Sequence, residues 1–297
     1  MKKILVAADV DRSLDERAHG DARFEVVRKP VRTENELANI VGDAEVLVTR
    51  AYNRVTRRVL EAAPKLELIA QGTSGIDNID LDAARERGIH VIHLPGVNAN
   101  AVAELVIGFM IAMTRTVPFY TREIVRGVFR RDDCAARHEL RHFRVGIVGL
   151  GNVGSLVANY ARAFAMQVNA YDPYVAEARV PTLDELLTSS DILTLHVPLT
   201  DETRKMIGAR EIALMPRGSY VINASRGEVL DQNAALDALR SDHLAGVALD
   251  VFDPEPPVES LPDDPRLILT PHVAGCSYEV KTTVGGKLFE KIAEHYA

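Results

Sequence analysis

Short apolar runs alternate along this chain with stretches whose apolar residues recur at helical spacing. In the first third, Lys3 to Ala7, Phe24 to Val27, Glu45 to Thr49, Leu66 to Ala70 and Ile89 to His93 read as strands. A helical stretch from Thr33 to Val41 precedes the third strand. Thr56 is placed to cap another helix that runs through Ala62, and Pro64 helps to end it. Strands separated by short helices predict a parallel sheet with helices on both faces. Leu94 to Asn100 breaks the pattern, and a domain crossing falls there. A long helical pattern follows, from Ala101 to about Thr116. Next comes a polar stretch rich in arginine, Arg126 to Arg144, which reads as a solvated or subunit-facing surface.

Alternation then resumes. Strands are expected at Asp191 to Val197, Ser219 to Asn223, Ala245 to Val251 and Leu267 to Thr270. Helices are expected at Thr182 to Thr188, Gly208 to Met215, Asp231 to Arg240 (capped by Asp231) and Ser277 to Tyr296. The most specific stretch opens this half. The apolar run Val145 to Val148 enters Gly149-x-Gly151-x-x-Gly154, and helical spacing follows at Leu156, Val157, Tyr160, Ala161 and Phe164. Strand, glycine turn and helix form the layout of a dinucleotide-binding βαβ unit. Gly149 permits the tight turn, Gly151 lets backbone approach a pyrophosphate, and Gly154 lets helix and strand pack closely. Free N–H groups and the dipole at the helix start favour phosphate. A second apolar strand, Gln167 to Tyr171, ends in Asp172, where this layout places an acid for a ribose hydroxyl. A plain βαβ unit with Asp172 in a turn is the alternative, and the three-part context weighs against it.

Composition narrows the picture. A length of 297 residues suggests about two domains, and 47% hydrophobic residues support substantial cores. The charge balance, 35 basic against 42 acidic residues, comes without a basic run interleaved with aromatics, which points away from nucleic acid. The apolar stretch Ala99 to Met113 contains Glu104 and is too short for a bilayer span. Met1 to Ala8 is interrupted by Asp9 and Asp11, so it reads as a first strand rather than a signal segment. Cys134 and Cys276 lie far apart and offer no metal spacing. These features predict a protein of a reducing compartment, with no membrane or metal partner.

Three segments at expected strand ends carry chemistry: Asn223 to Gly227, Asp250 to Pro257 and Thr270 to Gly275. Ligands of an open α/β sheet sit beyond the carboxyl ends of its strands. Arg226 can bind an anion and polarise a carbonyl. His272 can carry a hydroxyl proton, and Glu255 can orient the ring and stabilise imidazolium. Taken singly, each has a plainer reading: a surface cation, an exposed loop acid, a packing histidine. Together, beside a dinucleotide motif, they suit oxidation of an alcohol bearing a carboxylate. Gln71 to Asp80, small residues after a strand, could hold an anion on exposed N–H groups. From composition alone, a loop that merely turns the chain is the stronger reading there.

These segments resemble the D-isomer-specific 2-hydroxyacid dehydrogenase family over nearly the whole chain. Glu139 to Gly151 is similar to its cofactor strand and turn. Asn223 to Gly227, Asp250 to Pro256 and Thr270 to Gly275 are similar to the segments supplying its arginine, glutamate and histidine, and Gly72 to Asp80 to its substrate-carboxylate loop. The resemblance implies a flavodoxin-like substrate domain, residues 1–97 and 276–297. A Rossmann NAD-binding domain, residues 98–275, is inserted into it, with the active site in the cleft and closure hinging at the crossings. Arg226, Glu255 and His272 would be catalytic. NAD would be held by Gly149, Gly151, Asn152, Val153, Gly154, Asp172, Val197, Pro198, Thr203, Ala224, Asp250 (on the nicotinamide amide) and His272. Thr73, Ser74, Gly75 and Arg226 would bind the substrate carboxylate. Leu60 to Leu66 and Val102 to Gly108 look most like phosphoglycerate-oxidising members, and Arg50 sits where those place a phosphate-binding cation. The expectation is therefore a cytoplasmic NAD-dependent oxidoreductase acting on a D-2-hydroxy or 2-oxo acid, with 3-phosphoglycerate the first substrate and glyoxylate or hydroxypyruvate next. A homodimer through the cofactor domain is implied. A dinucleotide-sensing, corepressor-like binding protein is the rival from another class. Cys276 and Ser277 depart from the family pattern. The chain stops soon after its last helical stretch, so serine feedback is not expected.

Overall fold

The computed structural model describes residues 1–132, 137–176, 178 and 180–297. Cys134 and Arg179 lie outside the described residues. The chain divides into two compact units: Met1–Asn98 with Cys276–Ala297, and Ala99–Gly275.

In the first unit the strands are β1 (Lys2–Val6), β2 (Phe24–Arg28), β3 (Val46–Thr49), β4 (Leu68–Gln71) and β5 (His90–His93). All pair in parallel, in the order β2-β1-β3-β4-β5, the doubly wound flavodoxin-like arrangement. β3 and β4 are buried along their whole length, as strands covered on both faces must be. The helices are α1 (Ser13–Ala18), α2 (Glu34–Ile40), α3 (Arg57–Glu61) and α4 (Leu81–Glu86). Thr33 caps α2 in a full capping box with Glu36. Thr56 does precede α3, but its hydroxyl donates to Glu34 instead of capping. The last helix, Tyr278–His295, is capped by Ser277 and packs its Gly285–Gly286 pair against α1, where a Cβ on Gly285 would press on the Asp11 carbonyl.

The second unit opens with α5 (Ala99–Thr114) and α6 (Val117–Val125). Thr116 takes a left-handed φ of 50° between them, and the two axes bend by 61°. Among the described residues no single helix is long and apolar enough to cross a membrane. The bent pair passes that test by length and composition. However, α5 buries Val102, Val106, Met110 and Met113 in the core it shares with α7 (Asn152–Ala163). The strands are β6 (Arg144–Val148), β7 (Gln167–Tyr171), β8 (Ile192–Leu195), β9 (Ser219–Asn223), β10 (Leu244–Leu249) and β11 (Leu267–Leu269), with helices α8 (Leu183–Thr188), α9 (Ala209–Leu214) and α10 (Gln232–Arg240). Their order, β11-β10-β9-β8-β6-β7, is parallel throughout the described residues, and it reverses direction between β6 and β8. Such a switch point opens a crevice at the carboxyl ends of the strands, as in a Rossmann fold.

The polar stretch is exposed from Arg126 to Asp132, and Arg144 at its end keeps a side chain 41% exposed. Arg144 begins β6 and grips Asp191 at the start of β8 with two side-chain bonds, of 2.9 and 2.7 Å. Its hydrogen bonds hold the Asp191 carboxyl below its ordinary range, against the opposing effect of partial burial.

Candidate active site

The glycine turn lies at the switch point. Gly149 has φ +89°, a left-handed conformation that a side chain rarely adopts, and a Cβ there would come within 2.6 Å of the His196 carbonyl. A Cβ on Gly154 would overlap the Gly149 carbonyl, so helix and turn touch backbone to backbone. At Gly151 a Cβ would meet nothing within 4 Å. Two glycines thus serve packing, and the third keeps a surface open. α7 starts here with Asn152 and Val153, and its first N–H groups have no partner within the helix. Asp172, just past β7, accepts from the Leu150 N–H (2.8 Å) and the Tyr174 N–H (2.9 Å), which ties the acid to the turn. This fits a dinucleotide: open backbone donors for a pyrophosphate, and a carboxylate fixed beside them for a ribose. On the other side of β6, His196 follows β8. Burial pushes its pKa down to about 3, so the ring is neutral, and its Nε2 lies 2.9 Å from the Thr194 hydroxyl. Val197 and Pro198 come next, and the Thr203 hydroxyl donates to the Pro198 carbonyl (2.6 Å), closing the turn.

β9, β10 and β11 are neighbours in register: Leu249 pairs with both Asn223 and Leu269. The segments carrying Arg226, Glu255 and His272 therefore leave the sheet side by side, although 46 residues separate the first of these from the last. Gly227 makes the approach possible, because a Cβ would overlap the Phe252 carbonyl. Asn223 shapes the Arg226 turn. Its amide donates to the Arg226 carbonyl (2.8 Å), and its oxygen accepts from the Ser225 N–H and hydroxyl. Ala224, half-buried, packs on the α5 side of the core.

His272 Nδ1 lies 2.6 Å from Glu255 Oε1, with both side chains 40% exposed. An ionised carboxylate can only accept, so Nδ1 carries the proton and Nε2 is left for a substrate. The Glu255 hydrogen bond raises the His272 pKa, outweighing partial desolvation. Burial would raise Glu255, but the bond and charge of His272 prevail and hold it below its ordinary value. The Arg226 charge reaches both: it favours the Glu255 carboxylate and disfavours the imidazolium. The three groups are thus electrostatically coupled.

Asp250 was expected to face the nicotinamide. In this structure its side chain is fully buried, and its carboxyl accepts from the Thr270 hydroxyl (2.5 Å) and from the Val273 and Ala274 N–H groups (both 2.9 Å). What the structure shows of Asp250 is an anchor for the His272 segment.

In the first unit, Thr73, Ser74 and Gly75 follow β4. Ser74 Oγ donates toward the Leu94 carbonyl and Asn98 and accepts from the Gly96 N–H (2.9 Å). The Thr73 hydroxyl donates to the Gly75 carbonyl (3.0 Å). Among the described residues the N–H groups of Ser74 and Gly75 have no protein acceptor. The loop therefore presents two free backbone donors, the feature that an anion-binding loop requires. Arg50 follows β3, and its N–H is held by the Asn53 side chain (3.0 Å). Among the described residues no cluster of His, Cys, Asp or Glu is arranged to hold a metal.

With this geometry in place, comparison with known proteins identifies the family. The model of the D-isomer specific 2-hydroxyacid dehydrogenase NAD binding domain matches residues 107–274. The chain is 39% identical over 273 residues to a D-3-phosphoglycerate dehydrogenase of Methanocaldococcus jannaschii, a match covering 88% of this chain and 51% of that one. It therefore spans about half the length of that relative. Against a hydroxypyruvate reductase of Thermotoga maritima it is 36% identical over 267 residues, 87% of each chain. The crystal structure of a D-lactate dehydrogenase from Aquifex aeolicus, complexed with NAD and lactic acid, superposes with a TM-score of 0.86 at 27% identity, covering 99% of this chain and 95% of that one. The chain belongs to the D-isomer specific 2-hydroxyacid dehydrogenase family, and the family's NAD binding domain falls on the unit that carries the glycine turn.

Proposed function

We propose that this chain is an NAD-dependent dehydrogenase of D-2-hydroxy acids, with 3-phosphoglycerate as first substrate and hydroxypyruvate or glyoxylate reduction as the alternative activity. The observation that carries the proposal is the His272–Glu255 pair, set on neighbouring strand ends with Arg226 within electrostatic reach. Both phosphoglycerate and hydroxypyruvate relatives support the substrate class. NAD, held by Gly149, Gly151, Asn152, Val153, Gly154, Asp172, Val197, Pro198, Thr203 and Ala224, supplies a hydride acceptor, or a donor when reduced. The protein's residues do the rest. In the reduction direction Arg226 stabilises the negative charge growing on the carbonyl oxygen and steadies the carboxylate beside it. His272 delivers a proton from Nε2 to that oxygen, and in oxidation the neutral ring removes it. Glu255 orients the ring through Nδ1 and favours imidazolium. Within the first unit, the Ser74 and Gly75 N–H groups offer donors suited to a carboxylate, and Arg50 a cation suited to a phosphate.

The test is turnover of a panel of 2-oxo acids with NADH, read as relative kcat/KM. Phosphohydroxypyruvate should lead, with hydroxypyruvate and glyoxylate behind. Tight NADH binding with no turnover of any member would favour the dinucleotide-sensing reading. We further assign the protein to the cytoplasm as a homodimer. The exposed apolar residues Ile124, Val125 and Phe129 on and after α6 support a subunit contact of the cofactor domain.

A further inference from the structure

Three buried or half-buried amide side chains connect the loop after β3 to the loop after β4. Their donors and acceptors match at every step. The Thr49 hydroxyl donates to Gln71 Oε1 (2.6 Å). Gln71 Nε2 donates to Asn78 Oδ1 (2.8 Å), to the Thr73 hydroxyl (2.9 Å) and to the Gly75 carbonyl (3.2 Å). Asn78 Nδ2 donates to the carbonyls of Asn53 (2.7 Å) and Arg50 (3.3 Å). Asn53 closes the chain: its oxygen accepts the Arg50 N–H (3.0 Å), and its nitrogen donates to the Val31 carbonyl (3.0 Å). Thr49 and Gln71 are fully buried and Asn53 is 2% exposed, so a broken link strands a polar group away from water. The direction of each amide is fixed by its neighbours, which leaves one arrangement of the whole relay.

We propose that Asn78 and Gln71 are positioning residues that set the spacing between the Arg50 loop and the Ser74–Gly75 loop, and so select substrates with a second anionic group at a fixed distance from the carboxylate. This rests on reading those two loops as the anion contacts. The two amides act on different ends. Gln71 holds Thr73 and Gly75 as well as Asn78, whereas Asn78 reaches the Arg50 side. A backbone bridge between Val55 and Ile79 joins the same two segments farther along, so the relay governs the loop ends nearest Arg50.

The test uses Asn78→Asp, which keeps the acceptor for Gln71 and turns a carboxylate oxygen on the Arg50 and Asn53 carbonyls. With NADH, the KM for phosphohydroxypyruvate relative to that for hydroxypyruvate should rise about tenfold, the effect of one lost buried hydrogen bond. The two substrates differ by the phosphate alone. Gln71→Glu should raise both KM values together. Asn78→Ser, whose shorter side chain withdraws the amide N–H groups from the Arg50 and Asn53 carbonyls without adding charge, should move the ratio in the same direction as Asn78→Asp and serves if the charged variant fails to fold. Hydrogen exchange at the Arg50 and Asn53 amides gives a second readout, faster in either Asn78 variant. Equal KM changes for both substrates in the Asn78 variants, or unaltered exchange in a folded Asn78 variant, would overturn the relay. If the wild-type protein turns over neither substrate, the reading of the site fails while exchange still judges the relay.

Discussion

Replacing Glu255 by glutamine tests the proton relay without emptying the site. The amide oxygen can still accept from Nδ1 of His272, so ring orientation survives while the negative charge is lost. A hydrogen bond to a charged partner is worth about 1.5–3 kcal/mol and a neutral one about 0.5–1.5. With both side chains 40% exposed, water screens part of the difference and leaves about 1 kcal/mol. That corresponds to a rate loss of about fivefold in reduction at neutral pH and above. It is well short of the 10²–10⁴-fold loss in kcat expected for His272→Ala. The pH profile carries more information than the rate. Glu255 raises the His272 pKa, so the protonated ring that reduction needs persists to higher pH in the wild type. In Glu255→Gln the falling limb of the reduction profile should move to lower pH, and the rising limb of the oxidation profile should move with it. Steady-state NADH consumption against pH, with NADH affinity measured separately by fluorescence titration, separates these effects. A limb that stays in place, or near-normal turnover in His272→Ala, would refute the assignment.

Three further outcomes are expected. Asp172→Ala should lower the preference for NAD over NADP, read as the ratio of kcat/KM values; a wild-type protein that used NADP better than NAD would contradict the ribose role. Gly154→Ala should destabilise the cofactor unit by about 1–3 kcal/mol, because its Cβ overlaps the Gly149 carbonyl, whereas Gly151→Ala should leave the melting temperature nearly intact and weaken NADH binding. Thermal melts and NADH titrations of the two variants should therefore move in opposite orders. Arg50→Ala should raise KM for phosphohydroxypyruvate more than for hydroxypyruvate, and equal effects would make Arg50 structural.

Much of this was legible before the structure. Buried parallel strands announce themselves as apolar runs, and Ser219–Asn223 and Gln167–Tyr171 fall where the runs do. A cap with an oxygen side chain was legible at Asp231, whereas Thr56, read the same way, precedes its helix without capping it. The short helices were harder. α1 buries only Leu14 and Ala18 and has no side-chain cap, so it leaves almost no periodic signal. α4 had a usable one, since Asp80 accepts from the Ala83 N–H (2.9 Å), but Asp80 read as the end of the anion loop. α6 was hidden because the helical pattern of α5 runs into it, and the turn at Thr116 depends on a left-handed backbone that no glycine marks. The relay of Asn53, Gln71 and Asn78 could not be read at all. Amides in loops are ordinary, and only tertiary pairing shows that these three are matched donor to acceptor.

The histidine proposed as acid–base group shows why its neighbours matter as much as its own identity. His272 sits at φ +53°, a conformation costing on the order of 1–3 kcal/mol for a residue with a side chain. Left alone, the segment after β11 would relax to an extended backbone and carry the ring away from Glu255. The end of β10 prevents this. The Asp250 carbonyl accepts the His272 N–H (2.8 Å), and the Asp250 carboxyl takes the next two N–H groups and the Thr270 hydroxyl. Four bonds from one buried residue thus hold the bend, and their combined strength exceeds the cost of the strained angle. β10 lies between β9 and β11, so the same strand end that carries Asp250 also sends out the segment bearing Glu255. The anchor of the ring and the acceptor of its Nδ1 proton therefore move as one piece, and the geometry of the pair is set by sheet register rather than by loop flexibility.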